Sequence, residues 1–208
     1  MDNQHRITNE QEIEAVLGEP MEFVKVKIQT KHDDAMREFI RRAPLIFVAT
    51  IDANGHVDVS PKGDPAGFVQ IDDDGNLLIP ERPGNKLTFG FRNILRNGEI
   101  GLIFVVPNQR ETLRVKGLAT LHKDPDIVDQ MQVNGQPALM FTCVAVKECF
   151  FHCGKALIRS RLWKPEFWEV ASESIGARGF ASLRGKPSPD AVRATEKRLD
   201  ESYRDELY

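Results

Sequence analysis

The sequence predicts a small antiparallel β-barrel carrying one inserted helix and flanked by helices at both ends. Three observations predict it. Between residues 45 and 153 the chain is a series of short β-branched and apolar segments. The connections between most of them are hairpin-length and marked by turn residues such as Asn54-Gly55 and Pro107-Asn108-Gln109. Parallel strands need long crossovers, so short connections favour antiparallel pairing. Finally, one amphipathic stretch interrupts the strands, and several short strands around a single helix favour a barrel.

The elements follow in order. Residues 1–44 read as mostly helical and polar: Asn9 precedes EQEIEAVLG, in which Ile13, Val16 and Leu17 take helical spacing before Gly18. A short apolar alternation, Phe23-Val24-Lys25-Val26-Lys27-Ile28, comes next, then a helix over 32–42 that stops before Pro44. A strand over 45–52 turns at Asn54-Gly55 into a return strand over 56–62, with Val57, Val59 and Pro61 on one face and Asp58, Ser60 and Lys62 on the other. Segments 67–71 and 76–80 pair around Asp72-Asp73-Asp74-Gly75. Leu87, Phe91, Ile94 and Leu95 form the stripe of the inserted helix, which Arg96 and Gly98 end. Segments 99–106 and 111–122 make a further pair, 138–153 is the last strand region, and Pro189 opens a charged helix over 190–207. The expected division is a helical extension over 1–44, the barrel over 45–163 and a helical tail over 164–208 that packs on the barrel or on a partner subunit.

Composition excludes several classes. The 208 residues are 41% hydrophobic, enough for a sizeable core and too many for a disordered chain. Lys+Arg 28 against Asp+Glu 31 gives a net charge of −3, so nothing advertises nucleic acid. Three cysteines are too few for a disulfide framework and suit a reducing compartment. The opening MDNQHRITNE lacks the apolar stretch of a secretory signal, and no apolar run approaches the ~20 residues that span a bilayer. The expectation is a cytoplasmic protein with no membrane partner.

Four segments carry residues suited to chemistry. Ser60 and Lys62 project from one side of their strand, where they either meet water or face a ligand. Pro80-Glu81-Arg82-Pro83-Gly84-Asn85-Lys86 joins a strand to the inserted helix. Asn85 is its expected N-cap, which puts Lys86 in the first turn, where a cation opposes the helix dipole by roughly 0.3–1 kcal/mol. An anion held there by Arg82, Lys86 and the helix N-terminus reverses that sign. Thr112, Arg114 and Lys116 share one strand face, as suits a phosphate, a flavin carbonyl edge, a subunit contact or solvent. Lys155, Arg159 and Trp163 are spaced four apart, so they share a face if 154–163 is helical. Alternation separates Cys149 and Cys153 from His152, no second ligand pair exists, and no metal site is expected. The chain carries no GxGxxG before a helix, no Walker loop, no GxSxG and no HExxH.

Taken in order, VDVSPKGDPAGFV, LLIPERPGNKL and EIGLIFVVPNQRETLRVKGLATL resemble the pyridoxamine 5′-phosphate oxidase-like FMN-binding split barrels, and ECFFHCGKALIRSRLW is similar to a subgroup of FMN-dependent enzymes among them. The resemblance covers roughly residues 37–163 and lies in the order of the motifs. It implies an FMN-dependent oxidoreductase acting on a small-molecule substrate as a homodimer, with FMN at the subunit interface. Ser60, Pro61 and Lys62 then match a strand whose lysine lies near the flavin, and Ile79 and Pro80 approach the cofactor by backbone. The family's Arg-Lys pair at the phosphate reads Asn85-Lys86 here, one charge short, with Arg82 placed to replace it. Thr112 stands where a family glutamine reaches the ring, and Arg114 follows two residues on. Lys155, Arg159 and Trp163 complete the candidate set, and no residue is assigned as a catalytic acid or base. The C-terminal Arg-x-His-Asp stretch and the Arg-Leu-x-Pro ending of the oxidases are missing, so vitamin B6 oxidation does not come with the resemblance. The alternatives are a relative using deazaflavin and a non-catalytic module binding flavin or haem.

Overall fold

The computed structural model describes residues 5–84, 86–169, 174–183 and 185–208, with residues 23 and 25 described by their backbone alone. The N-terminal segment supplies three helices, α1 (Glu10–Leu17), α2 (Glu22–Lys25) and α3 (Asp34–Arg42). Asn9 caps α1 by accepting from the Glu12 amide at 3.0 Å, and Asp33 caps α3 by accepting from the Met36 amide at 2.8 Å. Met36 and Ile40 bury one side of α3 in the core. The alternation at 23–28 starts as the single turn of α2 and is followed by a lone bridge from Gln29 to Cys149.

Seven strands follow: β1 (Leu45–Ile51), β2 (Val57–Gly63), β3 (Gln70–Ile71), β4 (Leu77–Glu81), β5 (Glu99–Val105), β6 (Thr112–His122) and β7 (Met140–His152). They form one sheet in the order β2-β1-β5-β6-β7-β4-β3, and every pairing is antiparallel. The β1–β2 turn uses Gly55 at φ 85° and the Asp52 carboxylate, which accepts from the amides of Asn54 and His56. The long β6 and β7 slip register at Lys116/Gly117, where a Cβ on Gly117 would collide with the Ala145 carbonyl and the Val144 side chain. Inward side chains such as Ile46, Leu102, Phe104, Leu113 and Val144 are buried together with Met36 and Ile40, so the sheet curls around a main core roofed by α3, while Leu78, Val128, Met131, Ala138 and Phe141 form a second, smaller cluster.

α4 (Phe89–Asn97) lies against β1, β2, β5 and β6. It starts later than its sequence suggests. Lys86 and Thr88 take left-handed backbone angles, φ 60° and 58°, which cannot belong to a right-handed helix. Thr88 is therefore the N-cap, and Lys86 lies before the helix rather than in its first turn. Asn85, the expected cap, lies outside the described residues. Of the expected stripe Ile94 is buried, while Asn93 rather than Leu95 joins it.

The remaining helices are α5 (Pro125–Gln130), α6 (Lys155–Arg159), α7 (Ile175–Ser182) and α8 (Pro189–Asp205), the last two packed on each other through Ala177 and Val192. α6 ends before Arg161, which has φ 54°, so Trp163 leaves the helical face expected to carry it with Lys155 and Arg159. Among the described residues no helix is long and apolar enough to cross a membrane.

Candidate functional site

β2 stands at one end of the sheet order, while β4 is next to the other end, occupied by the two-residue β3. β2 and β4 therefore share no backbone ladder. Side chains bridge them instead, and beside those bridges opens a cleft of about 1020 Å³. That volume is at the upper end of the roughly 300–1,000 Å³ usual for a small-molecule site.

The first bridge joins Lys62 at the end of β2 to Glu81 at the end of β4. The Lys62 ammonium donates to Glu81 Oε2, and Thr142 of β7 donates its hydroxyl to Oε1 at 2.6 Å. Glu81 and Thr142 are buried, and the ammonium lies 4.8 Å from the centre of the Phe91 ring. The second bridge joins Asp64 to Arg82. Arg82 Nε donates to Asp64 Oδ2 at 2.7 Å and Nη2 donates to the Met131 carbonyl at 2.6 Å. Arg82 Nη1 is buried without a partner among the described residues. The Tyr208 hydroxyl reaches the other oxygen of Asp64 at 3.0 Å.

With those pairs accounted for, several polar groups lining the cleft have no hydrogen-bond or ion-pair partner among the described residues. Asp58 and Ser60 are half-buried on the β2 face that also bears Lys62, while Lys86 and Lys123 are exposed. Val48, Phe68, Ile79 and Ile94 supply an apolar wall. The polar face of β2 thus looks into the cleft, and its apolar face, Val57 and Val59, is the one left exposed.

Of the candidates named from sequence, Ser60, Pro61, Lys62, Ile79, Pro80, Arg82 and Lys86 line this one cleft. Thr112, Arg114, Lys155, Arg159 and Trp163 do not line it. They gather where β6 begins and β7 ends: Thr112 pairs with His152, the Arg114 guanidinium is 5.3 Å from the Phe150 ring, and Trp163 donates to the Gln109 carbonyl at 2.8 Å. Lys155 and Arg159 are exposed on α6, directly after β7.

Sequence reasoning passed over Glu81, Asp64, Thr142 and Tyr208. Two had a signal. Glu81 closes the apolar run Leu77-Leu78-Ile79-Pro80, and Asp64 is two positions past Lys62. Thr142 and Tyr208 had none, because only the folded sheet brings them near. Burial pushes the Cys149 thiol up to about 11, with Asp33 adding to the effect, so this cysteine is not a ready nucleophile. Among the described residues no group of three or more His, Cys, Asp or Glu could hold a metal.

The family profile described as pyridoxamine 5′-phosphate oxidase matches residues 32–153. Similar solved structures include HupZ of Group A Streptococcus, with 22% identity over 58% of this chain and 93% of that one and a TM-score of 0.47. An FMN-binding protein of Syntrophomonas wolfei has 11% identity over 67% and 96% of the two chains, with a TM-score of 0.42. An F420 reductase has 16% identity over 58% and 98%, also at 0.42. No curated protein gives a match. The matched stretch is more than half of the sequence and holds all seven strands of the sheet, and on that ground the chain belongs to the pyridoxamine 5′-phosphate oxidase family.

Proposed function

We propose that this protein is an FMN-dependent oxidoreductase that acts on a small-molecule substrate as a homodimer. The observation that carries the reading is the convergence of residues 60–62 of β2 with 79–80 of β4 and with 82 and 86 after it, from two strands that share no ladder, on one cleft of about 1020 Å³. The residues suit the group. A phosphate of roughly −1.5 to −2 charge asks for cations with unspent donors, and Lys86 is an exposed one while Arg82 keeps Nη1 unsatisfied. A planar apolar ring system asks for a wall such as Val48, Phe68 and Ile79 offer.

FMN, when bound, supplies the two-electron exchange with a substrate. The chain binds, orients and excludes water. Lys62 and Ser60 offer donors from the β2 face, and Lys86 offers its charge at an exposed position of the lining. The apolar wall keeps water from the ring, which strengthens each of those interactions.

The homodimer is supported by the outer face of the sheet. Cross-strand partners share a face, so the register aligns Pro61, Phe47, Ile103 and Arg114 in one row across β2, β1, β5 and β6. Val59 and Val57 flank that row, exposed by 58% and 66%. A second copy seated on this apolar face covers it and brings Arg114, with Lys155 and Arg159 beyond it, towards a neighbouring cleft.

Purified protein titrated with FMN tests the reading. Saturable quenching of FMN fluorescence is expected, with bleaching of the bound flavin under reductant and faster reoxidation when an acceptor substrate is added. Lys86→Ala should weaken FMN about tenfold, the loss of one charge-assisted contact, and leave the urea midpoint unchanged because Lys86 is exposed. Protein that binds no FMN overturns the reading.

A further inference from the structure

We propose that Glu81 is a positioning residue: it fixes the Lys62 ammonium at the split and through it sets the affinity and reduction potential of the flavin. The inference rests on the flavin reading above and adds a residue to which neither the resemblance nor the sequence assigned a role.

The geometry is particular to this place. Lysine carries its charge on a flexible four-carbon stem, and holding it in one position costs rotamer entropy. Here the ammonium is tied to a carboxylate that is itself immobile. Glu81 ends a wholly buried strand, its side chain is 4% exposed, and Thr142 holds its second oxygen at 2.6 Å. The Phe91 ring, 4.8 Å away, borders the ammonium on another side. An ammonium has three donors. One goes to Glu81, and the Lys62 side chain, 20% exposed, keeps contact with the cleft for the others.

A stability role does not account for the pair. Buried ion pairs are commonly no better than apolar replacements of similar volume, because two desolvation costs offset the attraction. The strand leading to Glu81 is otherwise apolar, Leu77-Leu78-Ile79-Pro80, and an apolar residue would continue it. What the carboxylate adds is a fixed address for a cation on the cleft wall. A fixed cation favours the anionic reduced flavin over the oxidised one by electrostatics that need no reorganisation.

The test is a double-mutant cycle on the full-length protein with FMN as the probe, reading the Kd from fluorescence quenching and the midpoint potential from dye-coupled reduction. Lys62→Met and Glu81→Gln should each weaken FMN about tenfold, as the loss of a charged contact does. The double variant should bind no more weakly than either single one. Lys62→Met should lower the potential in the wild-type background and shift it clearly less in the Glu81→Gln background, a coupling that a purely structural glutamate would not produce. Losses that multiply, or Glu81→Gln binding FMN as the wild type does, overturn the assignment. Should Glu81→Gln fail to fold, Thr142→Val keeps both charges and releases only Oε1. It should weaken FMN several-fold and shrink the Lys62→Met potential shift, and wild-type values for both overturn the assignment. Wild-type protein that binds no FMN is a different result: it removes the flavin reading and this assignment with it.

Discussion

Tyr208 donates its hydroxyl to Asp64 Oδ1 at 3.0 Å while Arg82 Nε holds Oδ2 of the same carboxylate at 2.7 Å. One buried aspartate just past β2 therefore ties together β2, the β4 edge and the segment after α8. Leu207 and Tyr208 line the cleft as a consequence, and the Arg82 guanidinium faces the Tyr208 ring at 5.8 Å. The wall of the candidate site includes a part of the chain 144 positions from the aspartate it touches.

Burial first, then the hydrogen bond and the charge of Asp64, raise the Tyr208 phenol above its ordinary value of 10.0, with Arg82 opposing in part. A folded value above the unfolded one means that this contribution to stability is complete below about pH 10 and is lost as pH rises through the folded value. Ultraviolet titration of the folded protein should show a phenolate step above pH 10, and Tyr208→Phe should delete it. A titration unchanged by Tyr208→Phe would contradict the bond.

The Asp64–Arg82 pair predicts an asymmetry in stability. Their side chains are 2% and 13% exposed. Arg82→Met leaves a buried carboxylate with only the Tyr208 hydroxyl, and removing one partner of such a pair costs about 3–5 kcal/mol. Removing both, Asp64→Leu with Arg82→Met, should cost clearly less. Urea unfolding of Asp64→Leu, Arg82→Met and the double variant checks this, and single losses that simply add in the double variant would show that the two side chains do not act as a pair.

These two bridges also mark how far the sequence could be read. The barrel, its hairpins and the inserted helix were legible because alternation and turn chemistry are local: Asn54-Gly55 names its turn, and Asn9 and the 32–42 segment announce their helices. The start of α4 was not legible. Asn85 and Lys86 look like a cap and a first turn, yet the left-handed angles at Lys86 and Thr88 postpone the helix to Phe89, and no periodicity in the sequence marks those angles. Ser60 and Lys62 shared a face in the sequence, but which face looks inward depends on the sheet curling, and the valines rather than the polar residues were left outside. Lys62 with Glu81, and Arg82 with Asp64, are contacts across a gap between strands that share no ladder, so no periodicity could have paired them. For the same reason Arg82, read from sequence as a free phosphate cation, has Nε and Nη2 already engaged.

The outer face of β2 supplies the last prediction. Val59 pairs in register with Ala49, which pairs with Gly101, and the parallel row of Pro61, Phe47 and Ile103 runs beside it to Arg114. Val59 is 58% exposed in the single chain, so Val59→Asp should alter the folding of a protomer by no more than about 0.5 kcal/mol, as for an ordinary surface change. In a dimer built on this face the same substitution buries a carboxylate at the centre of an apolar contact, where it lacks a partner. Sedimentation velocity should therefore show a dimer for the wild type and a monomer for Val59→Asp, with far-ultraviolet circular dichroism unchanged. Arg114, Lys155 and Arg159 do not line the cleft of their own chain; the proposed dimer turns them towards the cleft of the second copy, so FMN affinity should fall when the dimer is lost. A Val59→Asp protein that remains dimeric moves the interface elsewhere, and one that is monomeric yet binds FMN at full strength confines the cofactor site to residues of a single chain.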